Sequence, residues 1–130
     1  MSQETAAYKD LIDSLNALPW LSVYTERGKS GARKWSIEVV AGTSRFVPKI
    51  GCRTKYNGYT LTLKSTAQTA PDDLSEKLGV IDDIITNDRR RGGNAQSTIT
   101  DDAGWTPDED EGRESFSITT NIEIQFNEVN

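Results

Sequence analysis

The sequence predicts an α+β fold: a small mixed or antiparallel sheet with two helices packed on one face. Three observations carry that prediction. The closing stretch, residues 114–127, puts Phe116, Ile118, Ile122, Ile124 and Phe126 on one parity, with Thr120 filling the row, and Ser117, Thr119, Asn121, Glu123 and Gln125 on the other. Successive strand side chains point to opposite faces, so this is one long strand with a dry face and a wet face. Two segments, near the start and the middle of the chain, repeat apolar residues at three- and four-residue steps, as helices do. Between them lie short runs of period two, bounded by glycine and proline.

Taken in order, residues 3–18 form the first helix, with Ala7, Tyr8, Leu11, Ile12, Leu15 and Leu18 in one stripe. Ser2 suits the N-cap, Glu4 suits the positive end, and Pro19 stops the helix. Residues 20–26 are extended, Gly28-Lys29-Ser30-Gly31 makes a turn, and residues 34–41 alternate Trp35, Ile37, Val39 and Ala41 against Ser36, Glu38 and Val40. The turn length predicts a hairpin between these two runs. Residues 42–58 hold Pro48, Gly51 and Cys52 and read as a long irregular loop, with Phe46, Val47 and Ile50 as a brief strand or as anchors. Residues 58–66 form a strand with Tyr59, Leu61 and Leu63 on its dry side.

The second helix starts at Thr69-Ala-Pro-Asp, with Pro71 in its first turn and Asp72 and Asp73 at its positive end, and runs to about Asn87. Gly79 inside it costs roughly 1 kcal/mol against alanine unless a strand passes close by. Arg89-Arg90-Arg91-Gly92-Gly93 ends the helix, the arginines at its negative end and the glycines freeing the turn. Residues 96–101 form a short strand and residues 101–112 an acidic loop, before the long closing strand.

The 130 residues suit one domain over residues 1–130, without repeat or linker. An apolar fraction of 35% is low for a self-contained monomer and points to surface covered by a partner. Net charge is −5, which disfavours bulk attraction to nucleic acid. The charge is segregated. Arg45, Lys49, Arg53 and Lys55 lie in a basic stretch, and Asp101, Asp102, Asp108, Glu109, Asp110 and Glu111 in an acidic one. Such stretches either attract each other, within a subunit or between copies, or stay solvated. Trp105, alone in the acidic loop, either plugs back onto the core or anchors a partner.

Several chemistries are set aside. With one cysteine and no histidine, no intrachain disulfide, imidazole–thiolate metal site or histidine-based triad can form. Cys52 sits among cations that favour its thiolate, but no histidine is present to act as base. The acidic loop fails the EF-hand pattern: counted from Asp108, glycine falls fifth and Arg113 sixth. Gly28-Lys29-Ser30 lacks the earlier glycine and following helix of a phosphate loop. The run Arg89-Arg90-Arg91-Gly92-Gly93 resembles an RNA-binding fragment, and the basic stretch with Trp35, Tyr56 and Tyr59 offers charge and stacking for single-stranded nucleic acid. The acidic balance weighs against both. No enzyme activity, cofactor or metal is expected, and no apolar run reaches membrane-spanning length.

The whole order resembles the tail terminator proteins of long-tailed bacteriophages, of the lambda type. The resemblance lies in Tyr59-Thr-Leu-Thr-Leu-Lys with Ala70-Pro-Asp-Asp-Leu, in Asp101-Asp-Ala-Gly-Trp105, and in Ser115-Phe-Ser-Ile-Thr-Thr-Asn-Ile-Glu-Ile-Gln-Phe. The chain departs from that pattern in its basic 42–58 stretch and in Arg89-Arg90-Arg91. The resemblance implies a structural virion protein, assembled in the host cytoplasm. It would form a homohexameric ring that caps the tail tube, ends its polymerisation and joins the head. Its partners would be itself, the tail tube protein and a head-closure or neck protein, with DNA passing through the lumen. A head-closure connector and a nucleic-acid-binding module are the alternatives. The residues expected at interfaces are Arg45, Lys49, Arg53, Lys55, Arg89, Arg90, Arg91, Asp101, Asp102, Trp105, Asp108, Glu109, Asp110 and Glu111.

Overall fold

A computed structural model describes residues 2–26, 33–65, 71–107 and 116–129. The chain runs α1 (Gln3–Asn16), β1 (Leu21–Tyr24), β2 (Trp35–Lys49), β3 (Cys52–Ser65), α2 (Pro71–Asn87), β4 (Ser97–Thr100), β5 (Thr106–Pro107) and β6 (Phe116–Val129). The six strands form one mixed sheet in the order β1-β2-β3-β6-β4, with β5 pairing β6 beside β4. Two helices and this sheet make an α+β fold.

Helix α1 begins where its cap chemistry dictates: Ser2 Oγ accepts from the Thr5 backbone N–H at 3.1 Å. It buries Ala7, Leu11 and Leu15, while Ile81 and Ile85 do the same for α2. Both stripes meet the dry parity of the strands: Trp35, Ile37 and Val39 of β2, Tyr59, Leu61 and Leu63 of β3, and Ile118, Ile122, Ile124 and Phe126 of β6. Each fully buried aliphatic side chain of this set contributes roughly 1.5–3 kcal/mol. Gly79 has open space where a Cβ would stand, so among the described residues no strand approaches it.

The expected hairpin between residues 20–26 and 34–41 is not formed. β1 pairs β2 in parallel, Leu21 beside Trp35 and Tyr24 beside Glu38. The cause lies in α1. Glu4 reaches Lys55 and Tyr8 reaches Val39, so α1 runs back toward the start of β2. The reversal at residues 17–20 releases the chain there, level with Trp35, so β1 leaves in the direction of β2. Arg33 Nη1 donates to the Leu21 carbonyl at 2.8 Å and ties the returning chain to that end.

The expected irregular loop at 42–58 is ordered strand. β2 and β3 pair from Trp35–Ser65 out to Lys49–Cys52, closed by Ile50 and Gly51. Gly51 has φ 74°, where a side chain is strained. The register slips once: Gly42 and Thr43 lie opposite Gly58 alone, between the pairs Ala41–Tyr59 and Ser44–Asn57. That is a β-bulge, and it is tight. A Cβ on Gly58 would stand 3.1 Å from the Thr43 carbonyl oxygen. On β2 the bulge divides a covered base from an exposed arm, whereas on β3 the head of α1 still reaches Lys55 and Asn57 beyond it. The wet side of the base also differs from expectation, since Ser36 and Glu38 are buried there, Glu38 accepting from Lys64 Nζ at 3.1 Å.

Candidate assembly interface

The arm comprises the outer halves of β2 and β3 with the end of β6, which follows β3 as far as the pair Cys52–Val129. Every β2 residue from Ala41 to Lys49 is exposed, and so is Ile50. β1 pairs β2 only as far as Glu38. Among the described residues no strand lies on the outer side of β2 beyond that point. Pro48 fits this place, because an edge strand tolerates a residue that cannot donate to a ladder.

The basic residues of the arm are engaged within the subunit. Arg45 grips Glu123 through Nε at 2.8 Å and Nη2 at 3.1 Å, and lies 3.8 Å above the Tyr56 ring. The Glu123 hydrogen bond raises the Arg45 pKa. Arg53 Nε meets Glu128 at 2.7 Å and its guanidinium covers the Phe46 ring at 4.1 Å. Lys55 pairs with Glu4 at the head of α1. Among the described residues Lys49 has no carboxylate partner. The pairs are partly exposed and each contributes little to stability. Their effect is to hold long side chains flat on the ribbon and to lower its capacity for an outside anion.

The triple arginine divides in two. Arg91, expected at an interface, lies wholly inside the subunit with φ 49°. Its Nη2 donates to the carbonyls of Ile84 at 2.9 Å and Ile85 at 3.0 Å, capping the end of α2. Its Nη1 stands 3.8 Å from Asp10 of α1. Burial lowers the Arg91 pKa, while Asp88 and Asp10 act in the opposite direction. Arg89 is exposed, with Nη1 donating to the Thr98 carbonyl at 3.3 Å, and Arg90 is exposed beside Gln96 and Asn127.

On the far edge of the sheet, Asp101 and Asp102 are exposed at the end of β4, where Asp101 Oδ1 accepts from the Ala103 N–H at 3.0 Å. Trp105 packs against the core, and its Nε1 donates to Asp82 Oδ1 at 2.9 Å. It is a plug on its own subunit, consistent with the amphipathic character of indole. Asp108, Glu109, Asp110 and Glu111 lie outside the described residues. Among the described residues no three acidic or cysteine side chains gather as a metal group, and no helix is long and apolar enough to cross a membrane.

Sequence reasoning missed the open edge of β2. The exposed large hydrophobics among the described residues are Phe46, Val47 and Ile50 on the arm and Ile99 on β4. All four sit on the two outer edges of the sheet or at the arm tip. For Phe46, Val47 and Ile50 the signal was present in the chain as apolar residues set among Arg45, Lys49 and Arg53 without helical or dry-face spacing; Ile99, between threonines, carried no such signal.

No family model matches the sequence, and no curated protein does. Among solved structures, the chain is similar to the sheath/tube terminator, in its extended state, of the extracellular contractile injection system PVC. The TM-score is 0.52 at 10% sequence identity, with 97% of this chain and 57% of that chain covered. The likeness is one of fold, and the chain spans little more than half the length of that relative.

Proposed function

We propose that this chain is the terminator subunit of a tail tube, one of the structural proteins of a phage tail or tail-like particle. Identical copies would form a ring, hexameric on this reading, that seats on the finished tube, stops its growth and leaves a surface for the head or neck. The observation that carries the reading is the shared fold with a sheath/tube terminator over 97% of this chain. The arm supports it independently. A long, stiff ribbon with exposed apolar residues is a device for contact between subunits rather than for turnover.

The nucleic-acid-binding alternative loses its main support, because Arg45, Arg53 and Lys55 are paired with carboxylates and Arg91 is buried. On the proposed reading DNA passes through the lumen without being held, in keeping with a net charge of −5.

The test is arrest of tube growth. Tail tube protein polymerising in the presence of this chain is expected to give short tubes that no longer elongate when fresh tube protein is added. Tubes that keep lengthening at every ratio of the two proteins contradict the proposal.

A further inference from the structure

We propose that the arm tip of one subunit docks in a groove of the next, Ile50 entering the space between Tyr8, Ala41 and Tyr59. The inference rests on the ring reading above and specifies the contact that closes the ring.

Both halves of the contact are built into the subunit. Ile50 and Gly51 form the two-residue turn inside the pair Lys49–Cys52, and Ile50 is left wholly uncovered. Gly51 has φ 74° and open space where a Cβ would stand, so the turn projects into solvent. Glycine and short polar residues ordinarily fill such turns, and an isoleucine there leaves its whole side chain in water. The groove has a volume of about 310 Å³ and is lined by Glu4, Thr5, Tyr8, Thr25, Ala41 and Tyr59. It opens beside β2 just past Glu38, where β1 stops pairing. Its wall is held in place: the Tyr8 and Tyr59 rings stack with centroids 5.1 Å apart, and Tyr8 Oη donates to the Val39 carbonyl at 3.4 Å. An apolar cavity of about 150 Å³ takes a benzene ring, so this groove has room for an isoleucine side chain.

The two halves cannot meet within one chain. Ala41 and Ile50 stand nine residues apart along the ribbon, roughly 25–30 Å at the rise of a β-strand. β3 and β6 pair alongside as far as Cys52–Val129, so the arm cannot fold back onto its own groove. Tip and groove are different surfaces, and contact between them is heterologous. Repeated in one orientation it closes into a ring, with the arms running along the circumference.

Charge names a second copy as the occupant. Lys49, next to the tip, has no carboxylate partner among the described residues. The charged residue in the groove lining is Glu4. Glu4 already accepts from Lys55 and Asn57 of its own subunit, and a carboxylate has further lone pairs for an incoming ammonium. Two tips brought together would set Lys49 against Lys49, and two grooves Glu4 against Glu4, so charge favours tip to groove. Apolar surface agrees. Phe46 and Val47 stand just behind the tip on opposite faces of the ribbon, 46% and 37% exposed, and widen the surface that the neighbour covers.

Disulfide trapping in a Cys52→Ser background tests the contact. Ile50→Cys reports on the tip, and Thr5→Cys or Thr25→Cys on the groove; all three positions are exposed. Each single variant is expected to stay monomeric on oxidation. Ile50→Cys mixed with one of the groove variants is expected to give a covalent dimer holding one chain of each. The corresponding double variant is expected to give a ladder of multiples that ends at the ring. Rings seen by particle imaging while neither mixture gives that dimer overturn the tip-to-groove contact and leave the ring reading intact. Efficient dimerisation of Ile50→Cys alone does the same, because it places tip against tip. Absence of rings from the Cys52→Ser parent, with and without tail tubes, overturns the ring reading and this contact with it. As a separate readout, Ile50→Asp is expected to cut the ring fraction at least tenfold at unchanged thermal stability, and Ile50→Leu to keep it. Wild-type ring levels from Ile50→Asp overturn the contact.

Discussion

The base and the arm of the β2–β3 ribbon are made by the same two strands, yet they solve opposite problems. At the base, Ile37, Val39, Leu61 and Leu63 are fully buried beneath the helices. Their stability comes from apolar area removed from water. In the arm, nine residues on from Ile37, Phe46 is 46% exposed, and beyond it Ile50 is fully exposed. The arm is held by a ladder shared by β2, β3 and β6 and by cations laid across aromatic rings. What separates them on β2 is the bulge at Gly42, Thr43 and Gly58, beyond which every β2 residue is exposed, while Ile124 and Phe126 of β6 stay buried at arm height. The base makes the subunit, and the arm offers surface that the subunit itself does not cover.

Substitutions on either side of the bulge sharpen this contrast. The largest effect belongs to the base. Leu61→Ala, at a position with no exposed surface, is expected to lower unfolding free energy by about 3 kcal/mol in a denaturant titration. A loss below about 1 kcal/mol would mean that the base is not the stabilising half. Next comes the divide itself. Gly58→Val forces a Cβ to within 3.1 Å of the Thr43 carbonyl, and the expected cost is about 1–2 kcal/mol in the same titration. Wild-type stability would show that the bulge has room to spare.

A smaller change of opposite sign is expected in α2. Gly79→Ala meets no neighbour and should raise stability by up to about 1 kcal/mol. Any loss would reveal a contact at that position. The smallest effect on folding belongs to the arm. Phe46→Ser with Ile50→Ser is expected to shift unfolding by about 0.5 kcal/mol or less. It should nevertheless reduce the ring fraction seen by sedimentation, because the removed side chains are those the subunit leaves in water. An unchanged ring fraction would remove the arm tip from the contact.

The same divide explains what was legible in the chain. The base was readable because burial on one face enforces strict alternation, as in Tyr59, Leu61 and Leu63 or in Ile118 to Phe126. Both helices were readable for the equivalent reason at period 3.6. The arm was not. An exposed edge strand has no dry face to impose a pattern, and Gly42, Pro48 and Gly51 mimic loop punctuation. Parallel pairing of β1 was hidden because it is set by the path of α1, a long-range consequence that a turn motif cannot carry.

The candidate interface was legible in part. Charge segregation drew attention to the segment that forms the exposed arm, but the charges themselves are engaged within the subunit. Arg45, Arg53 and Lys55 face Glu123, Glu128 and Glu4 of the same chain, so the cations stiffen the arm instead of reaching outward. Arg91 showed its capping chemistry in sequence, but its complete burial follows from Asp10 and α1 closing over the end of α2. The apolar residues among those charges carried the stronger signal.

The measurement that tests the central claim most directly is particle imaging of tail tubes incubated with this chain. The account predicts a single closed ring of identical subunits at one end of each tube, with the opposite end bare. Tubes with both ends bare, at concentrations where the chain is in large excess, would contradict it.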